Sequence, residues 1–185
     1  MTDRQHSRKP PRPLDAARLE ELAVFYVGRF ATTRAKLGQY LRRKIKEKGW
    51  DGERPPEVEA LVEKFARLNY VDDAAYALSK ARSLGQRGYG ERRVNVALRQ
   101  AGVGEQDGAP AKEMATTGAT AAAIRYAQRR KIGPFASEAP DPKGRTRALS
   151  AMIRAGHSFD LAMQLVDLPP DPDLEIDGLN QLLWR

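Results

Sequence analysis

The chain has 185 residues, 41% hydrophobic and only 7% aromatic, with no cysteine, two histidines and a net charge of +8. Lack of cysteine excludes disulfides and thiolate chemistry and points to a reducing cytoplasm. No run of eighteen apolar residues is present to span a membrane, and the opening MTDRQHSRKPPRP lacks the apolar core of a secretion signal.

Residues 1–13 are charged and proline-rich (Pro10, Pro11, Pro13) and read as a disordered basic tail. Asp15 caps a first helix carrying Leu19, Leu22, Ala23 and Tyr26 on one face. Thr32 or Thr33 caps a second, with Leu37, Tyr40, Leu41 and Ile45 at helical spacing, Arg42 and Lys46 opposite, and Gly49 at its end. Pro55 and Pro56 precede a third amphipathic helix through Val58, Leu61, Val62, Phe65 and Leu68.

The stretch from Tyr70 to Val103 organises the rest. Asp72 and Asp73 stand where N-terminal carboxylates accept free backbone N–H groups, and Ala74, Ala77, Leu78 and Ala81 form one helical stripe. Gly85, Gly88 and Gly90 are expected to break that helix. A second helix restarts near Glu91 with Val94, Ala97, Leu98 and Ala101 inward and Arg92 and Arg99 outward, closed by Gly102. Tyr70, Tyr76 and Tyr89 are expected to pack between helices.

Gly104 to Gly118 is poor in apolar residues and reads as a short, weak helix or a loop. Helix resumes near Ala119 and runs to Lys131, a loop spans Ile132 to Lys143, and Arg145 to Ala155 forms a helix ended by Gly156. Ser158 caps a last helix through Leu161, Ala162, Leu165 and Val166, stopped by Pro169-Pro170. Residues 169–185 form an acidic tail whose apolar patch, Leu179, Leu182, Leu183 and Trp184, either docks on the body or frays.

Gly49, Gly102 and Gly156 each follow a cationic amphipathic helix and are spaced 53 and 54 residues apart. That period indicates a tandem array of helical units at 14–69, 70–117 and 118–168. Charge is uneven as well: +5 over residues 14–50, −4 over 51–73, +5 over 74–104 and −5 over 158–185. A basic body with an acidic end suits a polyanion or an acidic protein groove.

Asp72, Asp73, Tyr76 and Ala77, then Arg82, Gly88-Tyr89-Gly90, Arg93, Leu98 and Gly102-Val103, resemble the central repeat of the RecX family of recombination regulators. The resemblance implies an all-α fold of tandem three-helix repeats in an elongated, curved array. It also implies binding to the RecA recombinase filament on single-stranded DNA. The expected outcome is modulation, most often inhibition, of filament growth, ATP turnover and strand exchange in recombination, DNA repair and the SOS response.

No catalytic constellation is legible. His6 lies in the tail, and His157 follows a glycine cap, where a solvent-facing or helix-end histidine is expected. Asp72-Asp73 reads as capping rather than a metal site, and Gly88 and Gly90 lack the strand and the Gly-Lys-Ser/Thr ending of a phosphate loop. The chain is therefore expected to be a monomeric binding protein without cofactor or metal. Its expected contact residues are Arg82, Arg87, Arg92, Arg93 and Arg99, with Arg42 and Lys46 from the first unit. A plain DNA-binding helical protein is the alternative, because the cationic hairpin and basic tail would suffice for phosphate contacts. An enzyme is a third reading that no residue pattern favours.

Overall fold

Four side chains start helices by accepting an otherwise unpaired backbone N–H: Asp15 from Arg18 (2.8 Å), Thr33 from Lys36 (3.2 Å), Asp141 from Gly144 (2.6 Å) and Ser158 from Leu161 (3.3 Å). Each such cap contributes about 0.5–2 kcal/mol to its helix. The computed structural model describes residues 12–171 with Asp173 and Leu179. The sequence readings of the basic tail before Arg12, of His6 and of Leu182, Leu183 and Trp184 lie outside the described residues. Within them the chain is all-α, with one isolated bridge pairing Leu14 and Trp50.

The chain divides into two compact units, residues 1–72 and 73–185. The first holds α1 (Ala16–Arg29), α2 (Arg34–Lys48) and α3 (Val58–Arg67). Leu19, Ala23, Leu37, Leu41, Val58, Val62 and Phe65 supply its core at helical spacing, and Leu14 and Val71 close it. Tyr70 departs from expectation: its ring leans on Phe65 at 5.6 Å, yet the residue is 61% exposed, since it follows the left-handed Asn69 out of the helix.

The second unit holds α4 (Asp73–Gln86), α5 (Glu91–Gln100), α6 (Glu105–Thr117), α7 (Ala119–Arg130), α8 (Pro142–Ala155) and α9 (Phe159–Asp167), with a 3₁₀ turn at Gly133–Phe135. Ala77, Ala81, Leu84, Val94, Leu98 and Ala111 form one core. Ile124, Tyr126, Met152, Leu165 and their neighbours form another, which also buries Leu179. That patch residue of the acidic tail therefore docks. Tyr89 packs against both cores, as expected of a residue between helices.

Three readings of this unit are corrected. Residues 105–117 are a full helix rather than the short, weak helix or loop expected, packed along α4 with Gly108 and Ala111 buried. Gly85 does not break α4, which continues to Gln86; the reversal falls at Gly88, where φ is +74°. The loop after Lys131 is shorter than read, since Asp141 caps α8 from Pro142 onward.

Gly49, Gly102 and Gly156 all adopt positive φ (83°, 68° and 98°), a region open to glycine at little cost. They follow α2, α5 and α8 in turn, so the glycine recurrence read from sequence coincides with a positive φ at each helix end.

Candidate partner-binding surface

The hairpin between α4 and α5 is seated first by its backbone. Gly90 N–H donates to the Ala155 carbonyl (3.0 Å), and Arg92 N–H to the Gly156 carbonyl (3.1 Å). A Cβ on Gly156 would come within 2.5 Å of the Arg93 nitrogen, and one on Gly88 within 2.8 Å of the Tyr126 nitrogen. The Gly88-Tyr89-Gly90 triplet is thus the joint that seats the α5 start on the α8–α9 turn, and it fixes where the following arginines project.

His157 completes this joint, and here the structure corrects the solvent-facing expectation. It is 2% exposed, with Nε2 3.1 Å from the Gly88 carbonyl and its ring 5.5 Å from that of Tyr126. The carbonyl can only accept, so Nε2 carries the proton and donates. Desolvation outweighs that bond and pushes the imidazole pKa down to about 4. Nδ1 has no partner among the described residues. Sequence gave no signal of this, because a histidine after a glycine cap ordinarily faces water.

All seven expected contact residues are exposed. Arg87 and Arg93 converge on Tyr89, their guanidinium carbons 5.3 and 5.8 Å from its ring centroid. Such placement orients guanidinium groups at modest energy, about 0.5–1 kcal/mol each at exposed sites. Arg82 borders a cleft with Gln86, Tyr89 and Arg125, and Arg125 Nε donates to the Gly85 carbonyl (3.2 Å). Arg125 is a cation of this surface that the sequence reading missed; its place opposite Gly85 is set by the fold.

Arg92 lies at the mouth of a pocket of about 300 Å³ with Glu91, His157 and Ser158, and Arg99 follows two turns along α5. Among the described residues none of Arg82, Arg87, Arg92, Arg93, Arg99 or Lys46 is engaged in an ion pair. In the first unit, Arg42 differs from this group. Its guanidinium pairs with Glu59 and holds that carboxyl below its usual range. Lys44 does the same to Glu47 at 2.6 Å.

No group of three or more His, Asp or Glu residues is placed to hold a metal among the described residues, and no described helix is long and apolar enough to cross a membrane. What the arrangement offers chemically is a set of fork-shaped donors for carboxylates or phosphates.

No family model matches the chain. It is 34% identical over 184 residues to the Regulatory protein RecX of Myxococcus xanthus, covering 91% of this chain and 95% of the relative. It is 33% identical over 175 residues to the protein of the same name from Thermobifida fusca, covering 89% and 83%. Among solved structures, RecX from Lactobacillus salivarius superposes with a TM-score of 0.58 at 14% identity, over 82% of this chain and 94% of that one. A second RecX crystal structure gives 0.57 at 22%, over 82% and 71%. At such identities the structural likeness speaks for the all-α fold alone.

Proposed function

This chain belongs to the RecX family of regulatory proteins, and from that premise we propose that it binds the RecA recombinase on single-stranded DNA and restrains filament growth, ATP turnover and strand exchange. The observation that carries the proposal is the set of arginines around Tyr89 and along α5 that have no ion pair among the described residues. A cation that no neighbouring carboxylate engages keeps its full capacity for a partner's carboxylates or phosphates. The contact residues are Arg82, Arg87, Arg92, Arg93 and Arg99, with Lys46 and Arg42 contributing from the first unit. Arg42 must exchange Glu59 for the partner. The three helical sets at 14–69, 70–117 and 118–168 act as repeats of one module, and the chain works as a cytoplasmic monomer without cofactor or catalysis.

Reversing Arg92 and Arg99 to Glu tests this. Both are exposed, so the melting temperature of the double variant should stay near that of the parent, while its affinity for purified recombinase filaments falls. Filament binding equal to the parent's would remove the α5 face from the account. The net charge of +8 favours a second reading, direct binding to DNA without a recombinase. That reading predicts a steep salt dependence, about 0.9 log unit of affinity per log unit of salt for each phosphate neutralised.

A further inference from the structure

The arginines above supply charge, and charge sets encounter rate and specificity more than affinity. Affinity between proteins comes mainly from a few aromatic and arginine anchors that lose contact with water. Such a group exists in the first unit and plays no part in the proposal so far. The outward side of α1 carries Val24 (54% exposed) and Phe25 (60%), and Phe30 (51%) follows at its end.

Ring and guanidinium contacts tie these residues into one continuous surface. Arg29 lies 6.0 Å from the ring centroids of both Phe25 and Phe30. Phe30 leans on Tyr26 (5.4 Å), Tyr26 stacks on Tyr40 (4.2 Å), and Arg43 and Lys44 flank Tyr40 at 5.7 and 5.8 Å. Neighbouring exposed apolar groups of this kind mark interaction sites.

Gly28 adds an independent indication. It lies three and four positions after Phe25 and Val24, hence beside both on the helix surface. A Cβ built there meets nothing within 4 Å. No packing among the described residues requires glycine at this position, and its φ lies outside the left-handed region. Glycine there costs helix stability for no internal return. It leaves a notch between two apolar side chains that admits a close-approaching backbone.

We propose that Val24, Phe25, Gly28, Arg29 and Phe30 form a docking surface for a protein partner whose apolar pocket is rimmed by carboxylates. Arg29, which has no ion pair among the described residues, sets the sign of that rim, while Arg43 at its edge already pairs with Glu47 (3.5 Å). The ring faces argue for a protein over bases. Tyr26 and Tyr40 cover each other, and Arg29 caps Phe25 and Phe30, so stacking area for bases is reduced while the edges and the Gly28 notch stay open. The inference rests on the recombinase reading for the identity of the partner.

Binding of the full chain to purified recombinase, and separately to oligo(dT), is measured for the parent and three variants: F25A/F30A, Gly28→Leu and R92E/R99E. F25A/F30A should lose at least about tenfold in recombinase affinity, at low and high salt alike, with oligo(dT) binding unchanged. Gly28→Leu should melt at or above the parent temperature and still bind recombinase more weakly, a combination that general destabilisation does not produce. Parental recombinase affinity in both α1 variants overturns the docking surface; if R92E/R99E still weakens binding, the recombinase reading stands without it. A loss confined to oligo(dT) assigns the face to nucleic acid and overturns the proposal. So does a parent that sediments as a dimer while F25A/F30A sediments as a monomer, because a second copy would then cover the face. Recombinase binding by none of the four proteins defeats both readings.

Discussion

Gly90 has an ordinary backbone conformation, φ −79°, so conformational freedom is not what the position demands. A Cβ there would overlap the Gly156 carbonyl, which is backbone and cannot swing away. Gly85, five residues earlier, is in a helix with open space around it. Gly90→Ala should therefore lower the melting temperature of the second unit, while Gly85→Ala should leave it unchanged or raise it, by about 0.5–1 kcal/mol at most. Thermal melts of the two variants separate the joint from an incidental glycine. His157 gives a second residue-level test. Its folded pKa, about 4, lies below the unfolded value of 6.5. Between those values the unfolded chain binds more protons, so stability is complete above pH 6.5, falls as pH drops toward 4, and changes no further from this source below that. The loss amounts to as much as about 3 kcal/mol. Denaturant titrations across pH 4–7 should show this slope, and His157→Gln should flatten it.

At the scale of elements, the helices were legible wherever a cap, an apolar stripe and a glycine stop coincided, as in Thr33, Leu37 to Ile45 and Gly49. Helix α6 was legible only as a short, weak helix or a loop, because its small residues look like loop residues in sequence. Gly108 and Ala111 are nonetheless buried, and Ala111 shares a core with Leu98. Pro110 is the real cost. It sits in the second turn of α6, lacks the N–H that would reach the Gln106 carbonyl, and is exposed. Pro110→Ala should stabilise the second unit by about 1–3 kcal/mol, readable as a higher denaturation midpoint. A lowered midpoint would mean that the proline fixes a bend the packing needs. The Gly88-Tyr89-Gly90 motif was visible as a break in the chain. Its partner at Gly156-His157 was not, since two backbones meeting across nearly seventy residues leave no local pattern.

For the whole molecule, charge placement was the most informative sequence feature. It marked residues 14–50 and the hairpin of residues 74–104 as equally basic, and the arginines of the hairpin are exposed and without ion pairs among the described residues. Sequence could not separate them from Arg42, which carries the same outward helical phase but lies against Glu59 once α2 and α3 pack. Nor did it single out the Phe25–Phe30 surface, since aromatic residues on a helix next to a core stripe read as core. Regulation by binding requires the chain to act on the recombinase itself and not by sequestering DNA. The direct measurement is RecA ATP turnover on single-stranded DNA, titrated with the full chain in the presence of rising amounts of free competitor DNA. The account predicts inhibition that persists when competitor DNA is in large excess and that weakens in R92E/R99E. Inhibition abolished in step with added DNA would contradict it.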